Sequence, residues 1–365
     1  MNNPPPLRIV HLVNASDPGG LSRYVYNLCA ALHDRGHEVA VAGARGPWHH
    51  LFEKAPWPWI DLPAHGGPLQ TWRAMRMLRR YLKEHPADLL HSHYRRTNFI
   101  GKWARVGNVP LLYTLHLSHM PLPRPRWLFN NFGDHVHVAS ADAGRWLRDQ
   151  VHLPESRITL IPHGIDPGRF PQRTEGDKLA SRAKLGLADN GRVAAYVGRF
   201  DDPKNVDWLL DLASRMPKLK LLLVGEGPYE ARLKQRIAAE GLGDRVIMLP
   251  TCDPLGIYQA IDALLLPSGR EGFSLVCAEA MSAGVPVLRT RTSGTSELII
   301  ENVTGRSVNI DHDAFIQSAQ DFLADGEMLN QMGQNAAQHI REHYTFNIQV
   351  DRTIELYRRL LAPKQ

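Results

Sequence analysis

The sequence predicts an α/β protein built as two doubly wound parallel-sheet domains. Three observations carry this. Short apolar strands alternate with longer amphipathic stretches, the alternation stops and restarts once, and 365 residues exceed what one ordinary core holds. With 43% hydrophobic and 22% charged residues the chain can bury a sizeable core, which excludes a disordered or fibrous class.

The first strand is expected at residues 7–13, followed by a glycine-bearing turn and a helix ending near Arg35-Gly36. Further strands are expected at 38–42, 88–91, 110–116, 135–139 and 158–161, with helical stretches between most of them. Strands fed by crossover helices run parallel. Residues 171–190 are polar, with at most one helical turn of apolar periodicity, and read as a linker. Strands resume at 192–197, 219–224, 245–249, 263–266 and 286–288, so the domains are 1–171 and 172–345. Two such sheets place a cleft between their facing carboxyl edges, where loops bind ligands. The last apolar-periodic helix, 346–361, has no strand after it and needs an outside surface for its stripe.

No apolar run approaches the roughly 18 residues of a membrane span, and the opening Met1-Asn2-Asn3-Pro4-Pro5-Pro6 lacks the order of a signal peptide, so the cytoplasm is expected. Cys29, Cys252 and Cys277 lie too far apart for a disulfide framework or a zinc spacing and read as small buried hydrophobes. The charge of +6 is uneven: residues 1–170 carry 20 Lys+Arg against 12 Asp+Glu, and residues 171–365 carry 23 against 25. A positive first half suits an anionic partner such as a membrane surface or a phosphorylated small molecule. No nucleic-acid motif accompanies it.

The loop 14–20 holds one Gly19-Gly20 pair and no G-x-G-x-x-G, and the second strand ends without a ribose-binding acid, which argues against a dinucleotide cofactor. Gly19-Gly20 either lets a ligand approach a helix start or makes a simple tight turn. In the second half a glycine-bearing loop with Glu271 opens a helix. The amide N–H groups of Ser274, Leu275 and Val276 there form an anion site suited to phosphate. Glu271 before that start and Glu279 on the second turn suit a hydroxyl-rich ligand, the alternatives being a helix-dipole acid and a solvated or capping acid. Arg199, after Gly198, and Lys204 stand at a strand end, either to neutralise a diphosphate or to pair on the surface with Asp201 and Asp202. Gly225 marks another strand-to-helix turn. His91, His93, His116 and His119 gather at two strand ends without a carboxylate or cysteine at ligand spacing, so substrate orientation is expected there rather than a metal, with His91 a candidate core histidine. Asp311-His312-Asp313 looks like a metal-holding D-x-D but precedes an amphipathic stretch, 314–323, where Asp311 or Asp313 serves as N-cap.

Taken in order, these residues resemble the retaining GT-B glycosyltransferases of family 4, also called glycosyl transferases group 1. The shared motifs are Gly19-Gly20, His91-x-His93, Thr114-x-His116, Pro162-His163-Gly164-Ile165-Asp166, Val197-Gly198-Arg199 with Lys204, Gly225-Glu226-Gly227-Pro228, the pair Glu271 and Glu279, and Ser293-Gly294 with Glu297. The resemblance implies a GT-B fold of two Rossmann-like domains and a nucleotide-diphosphate sugar donor on the second. Glu279 would take the ribose, Arg199 and Lys204 the diphosphate, and the Ser274, Leu275 and Val276 amides the phosphate beside the sugar. Glu271 and His116 would face the transferred sugar. The first domain would hold a carbohydrate or lipid-linked acceptor, and helix 346–361 would cross back onto it. No metal and no other cofactor are implied. His163, Asn205, Ser274 and Ser293 depart from the family's usual Asn, Gly, Gly and Gly, which bears on donor identity. Rival activities on the same architecture are a sugar epimerase, a phosphorylase and a nucleotide-sugar-binding protein without chemistry. Arg73, Arg76, Arg79, Arg80 and Lys83 on the helix-like stretch 71–84, with Arg124, Arg126 and Trp127 after His119, either rest on an anionic membrane as a peripheral contact or are solvated on an ordinary amphipathic helix.

Overall fold

A strand covered on both faces reads as an unbroken apolar run. That is how Ala263–Leu266 reads, with every side chain buried, and Leu219–Val224 follows it except for Lys220. The computed structural model describes residues 5–17, 19–117, 119, 120, 122, 131–187 and 191–362. Residues 1–4 of the opening segment, residues 188–190 of the expected linker, and Arg124, Arg126 and Trp127 lie outside the described residues.

The first unit has β1 (Arg8–Ala15), β2 (Glu38–Ala44), β3 (Trp59–Asp61), β4 (Leu89–Ser92), β5 (Leu111–Leu115), β6 (His135–Val138) and β7 (Ile158–Leu160). The second has β8 (Arg192–Val197), β9 (Leu219–Val224), β10 (Val246–Leu249), β11 (Ala263–Leu266), β12 (Val287–Thr290) and β13 (Gly305–Val308). Among the described residues these form two all-parallel sheets, ordered β3-β2-β1-β4-β5-β6-β7 and β10-β9-β8-β11-β12-β13. Each is a doubly wound α/β sheet, as the strand–helix alternation requires. Two edge strands were not expected. β3 is three residues bounded by Pro58, and β13 offers one large apolar residue in Gly-Arg-Ser-Val, so neither leaves an apolar run to read.

The backbone divides into a unit of residues 1–161 with 350–365 and a unit of residues 162–349. The boundary falls ten residues before the expected 171/172 because 162–170 is tied into the second unit. Ile165 bridges Thr345, a Cβ on Gly164 would lie 2.4 Å from the Thr345 carbonyl, and the Ser282 hydroxyl donates to Phe170 O at 2.8 Å. The final helix spans Phe346–Leu361 and passes to the first unit at Val350, where Tyr357 is fully buried.

The expected linker instead contains a helix, Glu175–Lys184, with a capping box between Thr174 and Asp177. Its inward face carries Ser181 and Arg182, which are polar, so apolar periodicity could not reveal it. Arg182 Nη2 and Lys178 Nζ each stand 2.8 Å from the buried Asp262 carboxylate, and Val193 N–H donates to it at 2.9 Å. Burial opposes the ionisation of Asp262, yet the Lys178 and Val193 hydrogen bonds outweigh it and hold the carboxyl below its ordinary range. Asp262→Ala leaves Arg182 buried without its counter-charge and is expected to destabilise the second unit by about 3–5 kcal/mol, read as a lowered urea midpoint. An unchanged midpoint would show that the pair is dispensable.

Cys29 and Cys277 are buried as expected, but Cys252 is exposed, since it sits in the loop after β10 and not in a helix. Among the described residues no helix is long and apolar enough to cross a membrane.

Candidate active site

In a parallel sheet the loops that carry chemistry leave the carboxyl ends of the strands. In the second unit the adjacent strands β9, β8, β11 and β12 deliver Gly225, Gly198-Arg199, the segment 267–274 and Ser293 to one edge. The turns after β8 and β9 lie backbone against backbone: a Cβ on Gly225 would fall 1.9 Å from Gly198 O, so only glycine fits. Phe200 N–H donates to Glu226 O at 3.0 Å and holds the two turns together.

The turn after Arg199 and the segment after β11 are stapled to one another. Asn205 Nδ2 donates to Pro267 O at 2.8 Å, and Gly269 N donates to Pro203 O at 2.6 Å. Asn205 has φ of 51°, which explains why asparagine can stand where the family often has glycine: its side chain is the one that best tolerates the left-handed region. This staple brings Lys204 Nζ to 2.5 Å from Glu271 Oε1, which also accepts from the Ser268 hydroxyl at 3.0 Å. The two expected cations part company here. Lys204 is largely enclosed with Glu271, side chains 21% and 18% exposed, whereas Arg199 is 74% exposed and paired with Asp201 at 2.9 Å. Asp202 takes the Tyr229 hydroxyl instead of a cation. Tyr196, beneath this turn, donates its hydroxyl to Arg199 O at 2.8 Å, and burial followed by the charges of Glu271 and Asp201 pushes its phenol up.

The helix Leu275–Ser282 begins four residues after Glu271, and its N-cap Ser274 accepts from Cys277 N at 3.4 Å. Serine therefore caps the helix at a position where the family commonly has glycine. The Ser274, Leu275 and Val276 amides have no acceptor within the helix and carry the positive end of its dipole. On the second turn Glu279 is neither a cap nor merely solvated. Its Oε2 accepts from the buried Tyr258 hydroxyl at 2.9 Å, and burial plus the Glu279 charge drives that phenol well above its ordinary value. The carboxylate is thereby fixed in orientation.

In the first unit Gly19 precedes the helix Gly20–Asp34 with φ of 143° and nothing within 4 Å of a would-be Cβ. Glycine is required there by backbone conformation, and the space above it is open. His93 and His116 are the first residues beyond the adjacent strands β4 and β5, and their Nδ1 and Nε2 atoms stand 3.3 Å apart. His11, from the middle of β1, continues the chain with Nδ1 3.0 Å from His93 Nε2. His91 is a satisfied core histidine, bonded to the Tyr357 hydroxyl at 2.7 Å and to Thr114 Oγ1 at 2.6 Å. Thr114 in turn meets His137 Nδ1 at 2.9 Å, and His137 Nε2 meets Ile161 O at 2.7 Å. His119 stands apart, 2.8 Å from Asp142. Burial holds His11 down to about 3 and His137 to about 4, and His91 and His93 well below the ordinary range.

His11 and His137 were not anticipated, because each sits inside a strand and not at the strand ends where the loops carry chemistry. The signal that finds them is cross-strand register: His11 lies opposite His91, and Thr114 opposite His137. Ring nitrogens of His11, His91 and His93 come within 4.8 Å of one another, but both His91 nitrogens and both His93 nitrogens already have partners that a metal would have to displace. Asp311 is the N-cap of the helix His312–Ala324, accepting from Ala314 N at 2.9 Å, and Asp313 meets His312 Nδ1 at 3.0 Å.

The sequence model described as glycosyl transferases group 1 matches residues 177–339, and that described as glycosyltransferase family 4 matches residues 18–169. A D-inositol 3-phosphate glycosyltransferase of Nocardia farcinica is 30% identical over 88% of this chain and 81% of its own length. A protein of the same name from Mycolicibacterium vanbaalenii is 30% identical over 80% and 75%. Among solved structures, a glycosyltransferase from Rickettsia africae superposes with a TM-score of 0.85 at 17% identity, covering 98% of this chain and 100% of its own. Anabaena HepE in complex with UDP and glucose superposes with a TM-score of 0.82 at 22% identity, covering 96% and 99%. At these identities the structures establish the GT-B fold.

Proposed function

The chain belongs to the family 4, group 1 glycosyltransferases, and from that premise we propose that it moves a sugar from a nucleoside-diphosphate sugar to an acceptor, with retention at the anomeric carbon and without a divalent metal. The observation that carries the reading is the stapled pair of loops that sets Lys204 on Glu271 immediately before the start of the helix Leu275–Ser282. A diphosphate there meets an ammonium, the Arg199 guanidinium and a helix dipole, so its growing charge is balanced without a metal ion. The oriented Glu279 carboxylate accepts ribose hydroxyls, and Glu271 accepts from the sugar once Lys204 turns to phosphate. We assign His116 to the transferred sugar on the strength of the family resemblance alone.

In the transfer the bond from the anomeric carbon to the phosphate oxygen breaks, and a bond to the acceptor oxygen forms on the same face. The acceptor's hydroxyl proton passes to the departing phosphate oxygen. The protein's part is to hold the two oxygens together and to stabilise the leaving group.

A melting-temperature screen against UDP-, GDP- and ADP-sugars tests the donor. A cognate donor at about 100 times its Kd adds about 2.7 kcal/mol of stability, and that donor should be turned over equally in EDTA. Product NMR then reads the anomeric configuration. No shift with any donor, or activity lost to EDTA and restored by magnesium or manganese, would overturn the reading.

For the acceptor we favour one presented at an anionic lipid surface. On the helices Pro68–Glu84 and Arg95–Ala104, Trp72 and Trp103 are exposed, with Arg76 lying 4.7 Å from the Trp72 ring centre and Lys102 5.7 Å from that of Trp103. Ala74, Leu78 and Leu82 bury the inward stripe, which leaves Leu69, Trp72 and Met77 outward among Arg73, Arg76, Arg80 and Lys83. Such a face suits lipid headgroups over apolar chains. The protein should sediment with anionic vesicles and leave them as salt rises, each basic residue contributing about 1 kcal/mol at the surface. Absence of binding at low ionic strength would point to a small phosphorylated acceptor, of the kind that the Nocardia farcinica relative's name specifies.

A further inference from the structure

The relay His11–His93–His116 has no part in the reading above beyond its last member, yet its hydrogen-bond count is constrained. Three neutral imidazoles carry three N–H groups, one each, and two N···N contacts must each contain one proton. His93 can supply only one of them. If His93 Nε2–H donated to His11 Nδ1, the His11 proton would sit on Nε2, a buried atom with no hydrogen-bond partner, and a strong donor would be left unmet. In the opposite direction His11 Nδ1–H donates to His93 Nε2 and His93 Nδ1–H donates to His116 Nε2. What remains at His11 Nε2 is then only a buried lone pair without a donor. Buried N–H groups are the rarer orphans.

We infer that His11 and His93 are positioning residues that fix His116 as the Nδ1–H tautomer. This rests on the assignment of His116 to the transferred sugar. The consequence is chemical. With Nε2 filled by the His93 proton and Nδ1 already protonated, His116 has no lone pair to give to an anomeric carbon that is losing its phosphate. It acts as a hydrogen-bond donor and is prevented from becoming an alkylated nucleophile. Tyr24 holds both rings in place, edge-on at 5.8 Å from His93 and 5.0 Å from His116, and the His91 ring lies 4.3 Å from His93 on another side. Burial keeps His11 and His93 neutral, as the count requires.

The test is a ring-nitrogen NMR spectrum of the 15N-histidine-labelled protein, with the His116 signal identified by its loss in His116→Ala. The wild type should show His116 protonated on Nδ1, and this measurement needs no relay variant. His93→Leu should release the tautomer and lower kcat by about 10- to 100-fold, the usual range for an outer group that orients an imidazole, with donor KM within about threefold. His93→Asn, whose amide N–H stands near the Nδ1 position, should keep the Nδ1–H tautomer and return most of the kcat. A wild-type His116 protonated on Nε2, or a folded His93→Leu enzyme with normal kcat, overturns the relay. Normal transfer by His116→Ala instead overturns the assignment of His116 to the sugar, while the tautomer spectrum still reports on the relay alone.

Discussion

Lys204→Ala is expected to lower turnover on the cognate donor by about 100- to 1,000-fold, the usual cost of losing one preorganised electrostatic partner. Two effects combine. The diphosphate loses its enclosed cation, and Glu271, at 2.5 Å its present partner, is left as an unpaired negative charge facing the phosphate. Folding should barely change, since a partly exposed ion pair contributes on the order of 1 kcal/mol or less. Arg199→Ala should cost less than Lys204→Ala, because Arg199 is 74% exposed and must leave Asp201 to reach a donor. Steady-state kinetics beside a melting curve decides this. Near-normal turnover in Lys204→Ala would place the diphosphate elsewhere.

The second large effect is acid sensitivity. Burial lowers the folded pKa of His11 to about 3 and those of His135 and His137 to about 4, against an ordinary 6.5. For a base held neutral the unfolded chain binds more protons, so stability is complete above about pH 6.5 and falls as pH drops towards those folded values. One pH unit below 6.5, each such histidine costs about 1.4 kcal/mol, so these three remove about 4 kcal/mol from a total on the order of 5–15. His312 has the opposite sign. Its side-chain hydrogen bond to Asp211 raises its pKa, so what it contributes is present at low pH and lost as pH rises through the raised value. Being partly exposed at a helix start, it does not offset the three buried histidines. Urea midpoints at pH 7.5, 6.5 and 5.5 should therefore fall steeply over the last step. A flat profile would mean that the buried imidazoles titrate normally.

Most of the strand positions could be read in advance because a parallel strand covered on both faces is largely apolar, as in Ala263–Leu266. The cap at Asp311 was legible for a similar reason, since a short polar side chain before an amphipathic run satisfies local N–H groups that nothing else can reach. The helix Glu175–Lys184 was hidden because what it buries is an arginine, and only Asp262, some eighty residues on, makes that tolerable.

The sequence by itself determined two α/β sheets, the loops at their carboxyl ends, and the residue types those loops carry, because each depends on local periodicity and on spacing along the chain. Tertiary structure alone decided the pairings. Arg199 and Lys204 are five positions apart, yet one lies exposed on Asp201 and the other enclosed on Glu271, a division set by the Asn205 and Gly269 staples. His11, His93 and His116 become one relay only where β1, β4 and β5 lie side by side. Hydrogen bonds and ion pairs act over about 3 Å, and which groups come that close is fixed by sheet order and register, which no local pattern along the chain encodes.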